Sequence, residues 1–138
     1  MMDKAFLLPL FAMVFLQLLV WLRLYQTRLD EMKRRRIHPQ SVASSAQMAT
    51  LEDTRAADNF RNLFELPVLF YAAMLLIIVS RSESVVLLAL AWAFVALRYL
   101  HSYIHCTYNR VKDRFSAYLF SSLALWALWG MLAYSWLR

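Results

Sequence analysis

Two sets of polar residues recur at helical spacing inside stretches that are otherwise apolar enough for a bilayer. One is Asp58, Arg61, Asn62 and Glu65; the other is Arg98, His101, Ser102 and His105. Each follows the pattern i, i+3, i+4, i+7 and therefore lines a single helical face. Ionisable groups at membrane depth are costly unless they meet protein, water or a polar ligand, so these residues are the first place to look for function. The chemistry they suggest is anion recognition. Arg61, Arg98, His101 and His105 outnumber Asp58 and Glu65, and Arg110 and Arg114 follow closely enough to fold back. Surplus guanidinium in a half-desolvated cleft suits an anionic ligand held by bidentate hydrogen bonds. A plainer reading also fits: Glu65 pairs with Arg61 one turn away, or with Arg98 across an interface, and pins two helices together.

The elements that must position these residues follow from composition. The chain has 138 residues, 62% of them hydrophobic and 15% aromatic, with a single glycine and a mean hydropathy of +0.47. Such a chain is a helical membrane protein with room for one small domain. A span needs about 20 apolar residues, and four runs qualify, roughly 5–25, 60–79, 85–104 and 115–137. The expected fold is an all-α integral membrane four-helix bundle, a single domain over residues 1–138. The first run is read as a retained helix, because Trp21, Arg23 and Tyr25 close it and no small-residue cleavage site follows. The lone Cys106 excludes an intramolecular disulfide.

Orientation is read from the basic residues. Arg28, Lys33, Arg34, Arg35, Arg36 and Arg55 lie in the loop 26–58, and Arg110, Lys112 and Arg114 lie between the last two runs. Lys4, Arg81 and Arg138 mark the opposite side. By the positive-inside rule both basic loops are cytoplasmic and both termini outside. The short loops and the lack of an organelle signal lean toward a bacterial inner membrane. The net charge of +6 then reads as topology and contact with anionic lipid rather than nucleic-acid binding, since no folded basic module accompanies it.

The 26–58 loop is expected to carry a short helix. Thr50 and Asp53 resemble a capping box, from which the second helix would run as one rod to Val79. Arg81 to Ser84 form a tight connector, so the second and third helices are expected to lie antiparallel and adjacent. Counted from that turn at about 1.5 Å per residue, both polar stripes fall roughly 21 to 30 Å away and meet at one level. Pro67 is expected to kink its helix and free a carbonyl. Ser121, Ser122 and Gly130 are read as close-packing positions.

The segment FRNLFELPVLFY, with Arg-Asn-x-x-Glu at Arg61, Asn62 and Glu65 followed by Pro67, and the segment RYLHSYIHCTYNRVKDR, with Arg98, His101 and Arg114, carry a family resemblance. They resemble helices two and three of the membrane-associated proteins in eicosanoid and glutathione metabolism, the MAPEG family, and the topology and length are similar over the whole chain. The resemblance implies a homotrimer with sites between neighbouring subunits, where glutathione binds as co-substrate. It implies that Arg61, Asn62 and Glu65 hold the tripeptide's backbone and γ-glutamyl amine. Arg98, His101 and Ser102 would surround it, Arg114 would sit near the thiol as the catalytic residue, and Arg28 would be a further site arginine. This chain departs from the family in having Asp58-Asn59-Phe60 where a further cation is usual, with Arg55 further back.

Chemically the set is complementary. Glutathione carries two carboxylates and an ammonium, and a guanidinium beside its sulfur favours the attacking thiolate. A hydrophobic acceptor would enter from the bilayer past Tyr99, Tyr103, Trp126 and Trp129. No metal is expected at His101, His105 and Glu65, because neighbouring guanidinium disfavours a divalent cation. His105 is a further candidate, as a proton donor to a reacting peroxide or epoxide. The expected activity is a glutathione-dependent transferase or peroxidase acting on hydrophobic electrophiles or lipid hydroperoxides. The rivals are a non-enzymatic scaffold or lipid-binding protein, and a small transporter, for which helices one and four offer only Gln17 and the Ser121-Ser122 pair.

Overall fold

The computed structural model describes residues 2–137, and Arg138 of the charge count lies outside the described residues. Helix α1 (Met2–Arg35) is followed by a 3-10 turn (Pro39–Val42), then by α2 (Ser45–Met48) and α3 (Arg55–Asn62). The chain continues through α4 (Leu66–Ser80), α5 (Val85–Cys106) and α6 (Val111–Leu137). Lys4–Arg35, Arg55–Ser80, Val85–Cys106 and Val111–Leu137 are each long and apolar enough to cross a membrane. The fold is the expected all-α membrane bundle of four spans, the second being divided into α3 and α4.

Each long helix buries a narrow seam. On α1 the buried residues Phe6, Met13, Leu16 and Val20 keep to one stripe, with the spacing of helices packed knobs-into-holes. The seam on α6 is Ala117, Ser121, Leu125, Leu128 and Leu132, so Ser121 does pack inside, while Gly130 is exposed with open space around its Cα. Leu8, Phe11, Phe15, Phe120 and Trp126 point outward. In lipid an outward apolar residue carries no penalty, and helix association relies instead on packing and interhelical hydrogen bonds.

α5 packs most extensively on α6, and α1 lies against α3, α4 and α5. The second and third spans meet chiefly through α3 and through Phe70, whose ring stacks on Phe94 at 4.7 Å. Elsewhere α4 leans on α1 and α6 rather than running alongside α5. The four-residue turn therefore brings the helices back antiparallel but leaves the choice of neighbour to side-chain packing.

The single rod from Thr50 to Val79 does not form. The helix begins at Arg55 and breaks between Asn62 and Leu66. Proline has no N–H to donate to the carbonyl four residues back and clashes with it, so Pro67 releases the carbonyl of Leu63. Gln17 of α1 donates to that oxygen at 3.2 Å, and the Gln17 side-chain carbonyl accepts from Tyr71 at 3.0 Å. Gln17, a polar residue deep in an apolar helix, thus repairs the break, which removes its value to a transport path.

The Thr50 capping box is also replaced. Ser44 and Gln47 form the actual box, at 3.1 and 3.3 Å, and start the short α2. The loop is bound down rather than free. The carboxylate of Glu31, almost wholly buried, accepts the backbone N–H groups of Glu52 and Asp53 at 2.7 and 3.3 Å and pairs with Arg35 at 2.7 Å. Arg55 grips Asp53 through two 2.9 Å bonds and donates to the carbonyl of Thr107, joining the start of α3 to the end of α5. These clamps set the geometry of the end of the bundle where the polar stripes lie.

Candidate functional site

The α5 stripe turns inward as a unit: Arg98, His101, Ser102 and His105 are all buried. The α3 stripe does not follow suit. Asp58, Arg61 and Glu65 are exposed and Asn62 half-buried, because the seam that α3 presents to the bundle is Ala56, Asn59 and the following Leu63. The two stripes meet at one level, as their depth predicts, and among the described residues their hydrogen bond runs through Asn62. Its side-chain carbonyl accepts from Arg98 Nη1 at 3.0 Å, and its amide donates to Glu65 at 3.0 Å. Glu65 is therefore held by Asn62, and among the described residues it forms no ion pair with Arg61 or Arg98.

Arg98 is the focus of the site. Its side chain is completely buried, with the guanidinium 5.1 Å from the ring of Tyr118 and 5.6 Å from that of Phe94. Those ring faces supply part of what water would have given. Its Nε and Nη2 have no hydrogen-bond partner among the described residues. Burying a guanidinium is expensive unless its N–H groups are paired, and this one keeps two donors free in the interior.

His101 and His105 stand edge to face, with ring centroids 5.5 Å apart. His101 Nδ1 lies 3.1 Å from the carbonyl of Arg114. Arg114 itself, on the first turn of α6, is braced by a 2.6 Å bond from Nη1 to Asn109. With Asn62, Phe115 and Tyr118 these residues enclose a cavity of about 190 Å³. A second hollow of about 500 Å³ lies between the loop and α3, lined by Arg28, Asp58 and Arg61 together with Ser44, Ser45 and Thr54. The buried Nε of Arg28 is unpartnered among the described residues, and Asp58 accepts from Thr54 at 2.9 Å.

The expected site residues thus fall into two groups within one chain. Asn62, His101 and Arg114 come together at the smaller cavity, and Arg98, which does not line it, is bonded to Asn62 and lies against Tyr118. Arg28 and Arg61 line the larger one, and Glu65 lies beside Asn62 at the surface. Ser102 belongs to neither group: its hydroxyl donates to Asn59 at 3.3 Å and it borders a largely apolar groove of about 380 Å³ with Tyr99, Tyr103 and Cys106. Trp129 lines a different, wholly apolar hollow of about 300 Å³ at the far end.

Asn59 and Tyr118 were not expected. Asn59 has no exposure at all and joins α3 to α5, bonding Ser102 and reaching Cys106 at 3.4 Å. Its signal was its place three residues from Ala56 and four from Leu63, on the seam rather than on the polar stripe. Tyr118 faces Arg98 because it lies one turn beyond Arg114. Outside the membrane-crossing helices, hydrogen bonding by the Arg55 guanidinium holds the Asp53 carboxyl below the usual carboxylate range. Arg55 is thereby committed to Asp53 and Thr107 and cannot replace the cation that Asp58 displaces. No cluster of three or more His, Cys, Asp or Glu residues is placed to hold a metal among the described residues.

Compared with known families, the chain matches the model of the MAPEG family over residues 6–134. No curated protein and no solved structure matches it.

Proposed function

Because the chain belongs to the MAPEG family, a family of membrane proteins of glutathione and eicosanoid metabolism, we propose that it is a glutathione-dependent transferase or peroxidase. Its acceptor would be a hydrophobic electrophile or a lipid hydroperoxide drawn from the bilayer. The observation that carries this reading is the buried Arg98, whose Nε and Nη2 have no acceptor among the described residues. A carboxylate of glutathione meets that demand with charge-assisted hydrogen bonds.

The residues fit the tripeptide by charge. Arg28, Arg61 and Arg98 answer its two carboxylates, and Glu65, held by Asn62, answers its ammonium. They fit it less well by volume within one chain, because about 190 Å³ is below the 300 Å³ or so of an ordinary small-molecule site. The larger hollow, about 500 Å³, opens on the other side of α3. That division supports a site completed by a second copy, in a homotrimer such as the family resemblance implies. The basic end would face the cytoplasm of a bacterial inner membrane.

In the reaction, Arg98 and Asn62 orient the tripeptide and Arg114 presents its guanidinium to the sulfur. Positive charge there lowers the free energy of the thiolate relative to the thiol. The apolar groove beside Tyr99 and Tyr103 gives an acceptor a lateral route in from lipid. Sulfur then attacks the electrophilic carbon, or the outer peroxide oxygen, and displaces its leaving group.

The Arg98–Asn62 and Asn59–Ser102 bonds also favour a non-enzymatic reading, in which the polar set only joins α3 to α5. A thermal-shift titration of the detergent-purified protein with glutathione, and with its S-hexyl analogue, separates the two. A ligand that binds the native state raises apparent stability once its concentration passes Kd. Saturable stabilisation that Arg61→Ala shifts to about tenfold higher glutathione supports the glutathione site. A folded protein that does not respond at millimolar glutathione leaves the pairing reading.

A further inference from the structure

The carbonyl of Arg114 can only accept a hydrogen bond, so the His101 ring nitrogen 3.1 Å from it, Nδ1, must carry the proton. In the neutral ring this fixes the tautomer and leaves Nε2 with a lone pair. That atom is buried, His101 being 3% exposed, and has no partner among the described residues. The His101 side chain helps line a cavity otherwise furnished with donors and aromatic rings: Arg114, Asn62, Tyr118 and His105 line it too, and Arg98 lies against Tyr118. His105 faces His101 edge-on, but no hydrogen bond sets its tautomer, and its Nδ1 is likewise unpartnered among the described residues. A buried acceptor whose orientation is locked by a main-chain carbonyl is organised to receive a proton from a bound group.

We propose that His101 Nε2 is the base that takes the proton from the glutathione thiol. This rests on the glutathione reading above. The S–H bond breaks, its electron pair stays on sulfur and an N–H bond forms at Nε2, giving a thiolate beside Arg114 and an imidazolium whose Nδ1–H stays on the Arg114 carbonyl. Sulfur then bonds to the acceptor atom. The electrons of the broken bond pass to the leaving group, which takes the proton back from Nε2. Because Arg114 supplies both the carbonyl that orients the ring and the guanidinium assigned to the sulfur, one residue couples proton removal to thiolate stabilisation. A guanidinium acting alone would send the proton to solvent.

That difference is measurable in the unaltered protein. Glutathione binding is followed at once by the ultraviolet absorption of the bound thiolate and by a pH indicator in weak buffer. Thiolate formation with less than stoichiometric proton release supports internal transfer to His101, and one proton released per thiolate overturns it. Two variants test the atom itself. His101→Asn keeps an N–H at the Nδ1 position and deletes Nε2, whereas His101→Gln offers an acceptor without basicity. Both are expected still to bind S-hexyl glutathione, which has no S–H, while losing the thiolate signal and lowering kcat by about 100-fold or more. Variants that retain the thiolate signal and turnover overturn the base and leave the glutathione site standing. Loss of S-hexyl glutathione binding by a folded variant overturns it in favour of a binding role. A wild type that binds neither ligand overturns both readings.

Discussion

The polar stripes on α3 and α5 have the same spacing and opposite fates. On α5 all four residues are buried and Arg98 is the largest wholly buried side chain. In the stripe that starts on α3, Asp58, Arg61 and Glu65 are exposed and Asn62 is half-buried, and the buried polar residue is Asn59, between Asp58 and Arg61 in sequence. The reason lies in what each helix must do. α5 is packed by α1, α3 and α6, and the face it leaves exposed at this level carries Leu100 and Tyr103, so its polar stripe lies on the side that its neighbours cover. α3 is short, ends at the break before Pro67 and presents only one edge to the bundle. An inward stripe creates demand for a ligand, whereas an outward one offers contacts to whatever docks beside it. In the reading proposed here that neighbour is a second copy.

The largest effect is expected from Arg98→Met, which keeps the volume and removes the charge. Glutathione affinity is expected to fall by more than about 100-fold, on the order of 3 kcal/mol, while the unliganded protein melts no lower than the wild type, because an underpaired buried charge has been removed. A large drop in melting temperature instead would mean that Arg98 serves the fold. Next comes Asn59→Ala, which deletes the seam's polar link. Thermal or denaturant unfolding in detergent should show a loss of about 2 kcal/mol, from unsatisfied partners and a small void.

The outward stripe is tested by Arg61→Ala. Affinity for glutathione should fall about tenfold, on the order of 1.5 kcal/mol, with the unliganded melting temperature unchanged. If stability falls and affinity does not, the stripe pins helices. The smallest effect is expected at the loop clamp. Since the Asp53 carboxyl is held below its usual value by Arg55, its contribution is fully present above the unfolded carboxylate value, near pH 4 or so, and disappears as pH falls through the lower folded value. Asp53→Asn should lose under about 1 kcal/mol at neutral pH, and the gap to the wild type should close in acid. A gap that persists into strong acid would assign the loss to packing.

Much of this architecture was legible from residue types. The apolar runs marked four spans, the spacing of Arg98, His101, Ser102 and His105 placed them on one face of α5, and Pro67 announced a freed carbonyl. The helix break itself was less legible, because a kinked but continuous helix satisfies the same proline. What decides between them is whether another group can take the Leu63 carbonyl, and Gln17 does so from 46 residues away. Asn59 was passed over for a related reason. It sits among charges that advertise function more loudly, and its role depends on which edge of a short helix meets α5.

What the sequence by itself determined is the class of protein, its family and the inventory of its charged set. Hydrophobic length and helical period are local properties, and a bilayer leaves the backbone few alternatives to a helix. Tertiary structure alone decided the rest: the division of the second span, the direction in which the α3 stripe faces and the tautomer of His101. Each depends on a partner far away in sequence, respectively Gln17 of α1, the flank of α5 and the carbonyl of Arg114, and periodicity carries no information about a partner that distant.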